Sequence, residues 1–342
     1  MKKSGWIVSP APFLLSHPTI SRMSFITGIT LIPQLLLLAL EQNFIALAGV
    51  ALTVLGSVCA ELCIAIPNKK NTFGDGTAII AGILIGLLLP STLNLILFFS
   101  VSFSGMLIAR VLFGGPGSYW MNPVATAVCI AYISQSIAFP PFLISADGVA
   151  TIGDAFGALR LDHFTQITND QTVTGTMNSL LLHFFGIKLP EGYITLFWSS
   201  PSVIPAFRYN LVTLVSSIFL ISMSIIDWIV PLCFLLTYSL CIWFFSLLPF
   251  DAGFSGGDIL FALLTSGILF ISFYVLPEFT TTPRTQGGKA VSGIIAGLTA
   301  FLLCGLGGSP VGGVFTVMLV NTINTLIEFI ENKYIASAGD FA

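Results

Sequence analysis

Residue types that could do chemistry are confined to a few places in this sequence. The densest is Thr168-Asn169-Asp170-Gln171-Thr172-Val173-Thr174-Gly175-Thr176-Met177-Asn178-Ser179, where several hydroxyls surround one carboxylate. A segment this dense in hydroxyls, with a carboxylate nearby, looks like a modification or cofactor site. Elsewhere the acids of interest stand singly: Glu61, Asp75, Asp227 and Asp258, each in or beside a long apolar run. An ionisable group in hydrocarbon costs ~2.5–3.5 kcal/mol even on the lenient scale, so an acid kept there is a candidate for an ion path. Glu61 is the clearest case. Asp75 and Asp258 each open an apolar run, where a carboxylate also caps free N–H groups and is favoured by the helix dipole. Asp227 lies between two closely spaced runs and marks a turn.

Other signatures point away from catalysis by the chain alone. No Walker motif, dinucleotide fingerprint, metalloprotease motif or nucleophile elbow is present. His17, His163 and His183 lie far apart and form no ligand spacing. The six cysteines, Cys59, Cys63, Cys129, Cys233, Cys241 and Cys304, all fall in apolar runs, which excludes a disulfide framework and a soluble zinc site. Cys59 and Cys63 share a helix face but are too few for a metal, and read as small residues at helix contacts. No catalytic and no metal-ligating residue is expected. The glycine-rich Gly114-Gly115-Pro116-Gly117-Ser118 and Gly305 to Gly308 offer backbone N–H groups, but such corners also form wherever helices cross closely.

The elements that must position these residues are membrane helices. The chain has 342 residues, 55% hydrophobic and 8% charged, with mean hydropathy +0.97, whereas a soluble domain carries about 25% charged residues. Apolar runs fall at 23–40, 44–66, 76–90, 92–112 and 122–140, then at 209–226, 228–248, 258–277, 289–306 and 311–330. Most approach the ~20 residues needed to cross a bilayer core; 76–90 is short and ends at Pro90. Pro10, Pro12 and Pro18 interrupt the first twenty residues, so the first run reads as an uncleaved anchor. Ten spans would set Lys2, Lys3, Arg22, Lys69, Lys70, Arg110, Arg284, Lys289 and Lys333 on one side, against Arg160, Lys188 and Arg208 on the other. By the positive-inside rule the first group is cytoplasmic, with both termini, and the polar stretch 141–207 is extracytoplasmic.

The halves echo each other. Gly74-Asp75-Gly76-Thr77-Ala78 opens a run that closes at Pro90, and Gly257-Asp258-Ile259-Leu260-Phe261-Ala262 opens one that closes at Pro277. Phe113-Gly114-Gly115-Pro116-Gly117 before the fifth run is matched by Leu306-Gly307-Gly308-Ser309-Pro310 before the tenth. An odd span count in each half makes the second inverted relative to the first, which sets functional groups near a pseudo-two-fold axis. The expected fold is an all-α polytopic membrane protein with about ten transmembrane helices as two inverted five-helix repeats. Its divisions are a cytoplasmic segment 1–22, a first repeat 23–140, an extracytoplasmic loop 141–207, a second repeat 208–331 and a cytoplasmic tail 332–342.

A resemblance covers nearly the whole chain. Ser9-Pro10, Glu61, Asp75-Gly76-Thr77-Ala78, Leu89-Pro90, Phe113-Gly114-Gly115-Pro116-Gly117, Asn122-Pro123, Leu264-Thr265-Ser266-Gly267, Gly288-Lys289, Gly307-Gly308 and Asn321, in this order, are similar to one family. The sequence resembles the D-type subunit of the Rnf electron-transport complex and its relative, the B-type subunit of the Na⁺-translocating NADH:quinone oxidoreductase. The resemblance implies FMN joined through its phosphate to a threonine of the extracytoplasmic loop, and a second, non-covalent flavin known in the relative. It further implies electron transfer between subunits coupled to Na⁺ or H⁺ movement. The family's acceptor threonine lies six residues after an Asp. Anchored on Asp170, the acceptor is Thr176, preceded by Gly175; Val173 then stands where the family has a hydroxyl, and Thr174 is the runner-up acceptor. Anchored on Thr174-Gly175, the position falls on Met177, which cannot be esterified.

The reading is therefore a membrane subunit of an ion-translocating oxidoreductase complex in a bacterial inner membrane, not catalytic alone. It would contact other membrane and peripheral subunits and lipid, but no nucleic acid. Glu61, Asp75 and Asp258 are its ion-path candidates. The alternatives are a stand-alone ten-helix permease or channel, and a structural subunit that has lost covalent flavin.

Overall fold

The computed structural model describes residues 19–68, 73–115, 117–139, 169–185, 191–246, 258–306 and 311–339. Among these residues every regular element is helical. The first set comprises α1 (Ile20–Leu40), α2 (Phe44–Asn68), α3 (Thr77–Leu88), α4 (Leu95–Met106) and α5 (Pro123–Ser134). Two short helices follow, α6 (Asp170–Phe185) and α7 (Tyr193–Trp198). The second set comprises α8 (Asn210–Ser222), α9 (Ile229–Ser246), a broken helix made of α10 (Ile259–Thr265) and α11 (Ile268–Phe270), then α12 (Gln286–Ala300) and α13 (Gly312–Gly339).

Local sequence explains where these helices start and stop. Asn94 and Asn122 cap α4 and α5, their side chains accepting from Ile96 N and from Val124 N and Ala125 N. Pro123 at the first helical position of α5 has no N–H to lose. Leu89 is extended before Pro90, which ends α3. In both sets the fourth helix runs on into a π-segment at its end, Leu107–Val111 after α4 and Phe301–Leu306 after α12. The broken helix is interrupted at Gly267, with φ of 72°, because the Phe207 ring fills the space where a side chain would stand. The Leu264 carbonyl accepts from Asn210 Nδ2 at 2.8 Å beside that break.

Among the described residues, four helices are long and apolar enough to cross a membrane: Ile20–Leu40, Phe44–Cys63, Gln286–Gly305 and Gly312–Lys333. The others are shorter than the apolar runs suggest; α3, with 12 residues, rises only about 18 Å. Irregular segments complete these passages while packed against neighbouring protein. Ser91 N donates to Val203 O at 3.3 Å and Thr92 Oγ1 to Ala138 O at 2.7 Å. Non-helical backbone at membrane depth survives only where protein covers it.

Side-chain ties fix the direction of each passage. The end where α1 begins, here the cavity end, gathers Ser21 with Gly74, Arg110 with Glu61 and Thr77, and Thr285 with Glu331. The loop end gathers Arg208 with Glu41 and Asn210 with Leu196. The first set thus starts at the cavity end and the second at the loop end, so the protein is an all-α polytopic bundle whose halves run in opposite senses. First helices meet across the halves: Gln34 Nε2 donates to Thr213 Oγ1 at 3.0 Å and Ser216 Oγ to Thr30 O at 3.2 Å. Fifth helices meet as well, with Thr126 of α5 donating to Met318 Sδ of α13. Small residues bring neighbours close in both sets. A Cβ on Gly86 of α3 would lie 2.5 Å from Thr53 Oγ1, and one on Gly297 of α12 would lie 2.6 Å from Thr237 Cβ.

Candidate functional site

At the cavity end, several elements bring together groups that are far apart in sequence. Glu61 of α2 is fully buried, and Arg110 in the π-segment after α4 is 2% exposed. Arg110 Nη2 lies 3.2 Å from Glu61 Oε2 and donates to Thr77 Oγ1 at 2.7 Å. Two charges taken out of water are tolerable only when paired and hydrogen-bonded. The pairing satisfies part of the guanidinium; its Nε has no hydrogen-bond partner among the described residues.

On the far side of a cavity of about 120 Å³ stands Glu278, in the loop after the broken helix. Tyr119 OH, from the loop after α4, donates to Glu278 Oε1. Glu278 Oε2 is closed off from solvent and has no hydrogen-bond partner among the described residues. Burial pushes the Glu278 carboxyl up to about 7, although Tyr119, the Arg110 charge and Thr280 all pull it down. Burial and the neighbouring Glu278 hold the Tyr119 phenol well above its usual value. The cavity walls are otherwise largely apolar, with Ile80, Leu84, Ile226 and Phe273 from both sets. Asn122 also lines it, and its Nδ2 donates to Val275 O across the halves.

The acids singled out from sequence separate here. Glu61 belongs to the cavity cluster. Asp75 closes the short 3-10 turn Phe73–Asp75 ahead of α3 and is half-buried. Asp258 caps α10, its Oδ1 accepting from Phe261 N at 3.0 Å, at the opposite end of the bundle from Asp75. Asp227 pairs with Lys289, tying the α8–α9 turn to α12. Arg110, which the charge count sets among the loop cations, is instead inside the protein. Its signal is a lone arginine inside the apolar run 92–112, close to its end. Tyr119 and Glu278 escape sequence reasoning because each lies just outside an apolar run.

From Asp170 onward the hydroxyl-rich stretch is not an open loop. It forms α6, anchored at its first residue. Asp170 is 1% exposed and accepts from Thr174 Oγ1 at 2.9 Å, Gly192 N at 3.0 Å, Thr195 N at 3.0 Å, and the Thr195 hydroxyl. Burial alone would raise the Asp170 pKa; the Thr195 and Thr174 hydroxyls and the two amides outweigh it and lower it. This carboxylate staples α6 to α7, and Asn210 Nδ2 in turn holds α7 through Leu196 O at 3.0 Å. Thr174 is buried and committed to Asp170. Thr176 is exposed, its hydroxyl donating to Thr172 O one turn back, at 2.9 Å. Nothing stands within 4 Å of a Cβ built on Gly175. An exposed hydroxyl with open space beside it fits a phosphate-linked group; the buried Thr174 does not. His183 and Cys63 are exposed, and no cluster of three metal-ligating side chains occurs among the described residues.

The sequence profile described as the NQR2, RnfD, RnfE family matches residues 7–336. The chain belongs to this family. Its relatives include the D-type subunit of the proton-translocating ferredoxin:NAD(+) oxidoreductase complex of Clostridium ljungdahlii, 22% identical over 96% of this chain and 95% of that one. The D-type subunit of the Na(+)-translocating ferredoxin:NAD(+) oxidoreductase complex of Acetobacterium woodii is 27% identical over 96% and 94%. The D-type subunit of the ion-translocating oxidoreductase complex of Escherichia coli is 24% identical over 94% and 96%. The match thus covers nearly the whole chain, and every residue lining the cavity lies within it.

Proposed function

We propose that this chain is the D-type membrane subunit of an ion-translocating oxidoreductase complex, working with other membrane and peripheral subunits. The observation that carries the reading is the family match over nearly the whole chain, with relatives named as the D-type subunits of such complexes over 94–96% of both lengths. The bundle adds physical support. Two halves of opposite sense meet at a cavity lined by buried ionisable groups, the arrangement expected where ions cross a membrane. Glu61 lies on that path, with Asp75 and Asp258 as candidates toward its two ends.

FMN attached through its phosphate to Thr176 is the second part of the proposal. The exposed Thr176 hydroxyl and the open surface at Gly175 support it, and the buried Thr174 is the weaker acceptor. When bound, flavin supplies one- and two-electron redox chemistry; the protein supplies position and electrostatics. Asp170 and Asn210 hold α6 against the bundle, and so set where an attached group stands. A competing reading is a chain without covalent flavin, favoured by the register that puts Met177, also exposed, at the acceptor position.

Orientation in a bacterial inner membrane rests on the cation bias. With the buried Arg110 set aside, Lys2, Lys3, Arg22, Lys69, Lys70, Arg284, Lys289 and Lys333 stand against Arg160, Lys188 and Arg208. The cavity end is then cytoplasmic and α6 extracytoplasmic. The test is purification of the tagged chain from its own membranes in mild detergent. The proposal expects partner subunits in fixed stoichiometry and redox-driven ion uptake by the reconstituted assembly. A chain that purifies alone and conducts ions without a redox partner contradicts it.

A further inference from the structure

Glu61 and Glu278 face one cation. Glu61 comes from the first set and Glu278 from the second, and Arg110 stands between them with its Nη2 on Glu61 and its Nε–H unmatched. Glu278 mirrors this condition: Oε1 takes the Tyr119 hydroxyl, while Oε2 has no donor at hydrogen-bonding distance, the Thr280 hydroxyl included. An unmatched donor and an unmatched acceptor border the same cavity, which opens between the two five-helix sets.

We infer that Arg110 is a shared counter-ion that bridges two carboxylates on demand. With Glu278 protonated, Arg110 serves Glu61 alone and the cavity is open; with Glu278 ionised, the guanidinium keeps its Nη2 on Glu61 and turns its unmatched Nε–H to Glu278, tying the end of α4 to the loop after the broken helix and narrowing the mouth. The proton leaves Glu278 for water on the cavity side and no other bond is made or broken. This goes beyond the proposed function and holds with or without flavin at Thr176.

The surroundings of Glu278 make the bridging a matter of one proton. From the first set, Arg110 and Tyr119 act on it, with Glu61 behind Arg110; α1 offers only Met23, Ser24 and Thr27, and α3 offers Thr77. From the second set, its own loop contributes Thr280, α11 and its continuation contribute Tyr274, and α8 and its following turn contribute Ile225 and Ile226. Asp227, just beyond, is paired with Lys289. The cluster therefore contains two carboxyls and one cation, and is neutral only with one carboxyl protonated. A second buried anion without its own cation is strongly disfavoured, so ionisation of Glu278 is what gives Arg110 a reason to move. The raised Glu278 value of about 7 sets the range in which this happens.

The experiment uses the full chain in lipid nanodiscs. Infrared titration from pH 5 to 9 follows the protonated-carboxyl stretch. The expected result is a band lost with a midpoint near 7 and absent in Glu278→Gln. In Glu61→Gln the midpoint should fall by about one unit, a tenfold loss of proton affinity, because the guanidinium is released to Glu278. A midpoint unmoved by Glu61→Gln overturns the sharing of Arg110. Mouth closure is read by methanethiosulfonate labelling of Ser24→Cys in a chain whose six native cysteines are replaced. Rates are divided by those of the exposed Ser118→Cys to cancel thiol ionisation. The normalised rate should fall at least tenfold from pH 6 to 8.5, and should stay at its low-pH value in Glu278→Gln, which imitates the protonated acid. A normalised rate independent of pH, or a fall that persists in Glu278→Gln, overturns the closure.

Discussion

Arg110 and Glu61 form an ion pair 3.2 Å long, with side chains 2% and 1% exposed, between α4 and α2 of one five-helix set. Neither residue is adjacent to the other set in sequence, yet Arg110 lines the cavity where the sets meet, with Glu61 behind it. The pair fixes the depth at which charge is kept inside the bundle.

Removing one partner should be worse than removing both. At pH 5, where Glu278 is protonated, Glu61→Ala leaves a buried guanidinium without a carboxylate, which costs about 3–5 kcal/mol. The double change Glu61→Met with Arg110→Met replaces charge by apolar volume and should recover most of that loss. Thermal melts in detergent measure both; a double variant as unstable as the single one would show that the pair itself is not the source. Glu61→Gln should reduce ion transport by the assembled complex while assembly persists, and unchanged transport would remove Glu61 from the path.

Stability should fall as pH rises toward neutrality through Glu278. Its value in the fold, about 7, is raised above the ordinary 4.5, so between these limits the folded state holds more proton than the unfolded one. The contribution is complete below the ordinary value and is lost as pH rises to about 7, for at most about 3 kcal/mol. Glu278→Gln should flatten melting temperature over that window. A wild-type profile already flat from pH 5 to 7 would contradict the assignment.

Asp170 has the opposite sign. Its pKa is lowered in the fold, so its contribution is present above the unfolded value and lost as pH falls through the folded one. Asp170→Asn turns an amide NH₂ toward donors, either the Thr195 pair or those of Thr174 and Gly192, and should cost about 1–3 kcal/mol locally. Hydrogen exchange over α6 and α7 should accelerate while α1 and α2 keep their protection. Uniform acceleration would mean that the staple is not local.

Gly297→Val should separate α12 from α9, because its Cβ would lie 2.6 Å from Thr237 Cβ and 2.8 Å from Phe234 O. Overpacking of this kind costs about 1–3 kcal/mol, and contact with backbone leaves little room for relief. A variant melting within a degree of wild type would show that the helices slide apart freely.

Much of the fold was legible because apolar run length and charge distribution are direct readouts of the bilayer. The apolar runs, the inverted halves and the cap at Asp258 follow from residues close in sequence. Helix lengths did not, because Ser91, Thr92 and the Gly267 break depend on what distant segments pack against them. Glu61 was visible as a lone acid in hydrocarbon. Its partner was not, since an arginine at the end of an apolar run looks the same whether it reaches water or turns inward. The Thr168–Ser179 stretch looked like an open loop because its polarity hides a helix anchored by Asp170 on residues more than twenty positions away. That anchor separates Thr174 from Thr176, a distinction absent from the motif itself.

The most direct test of the flavin-carrying role is in-gel fluorescence of the denatured chain, produced with a flavin transferase and its partner subunits. The account predicts a fluorescent band carrying the mass of one phosphate-linked FMN, retained in Thr174→Ala and abolished in Thr176→Ala. A wild-type band without fluorescence or added mass would contradict it.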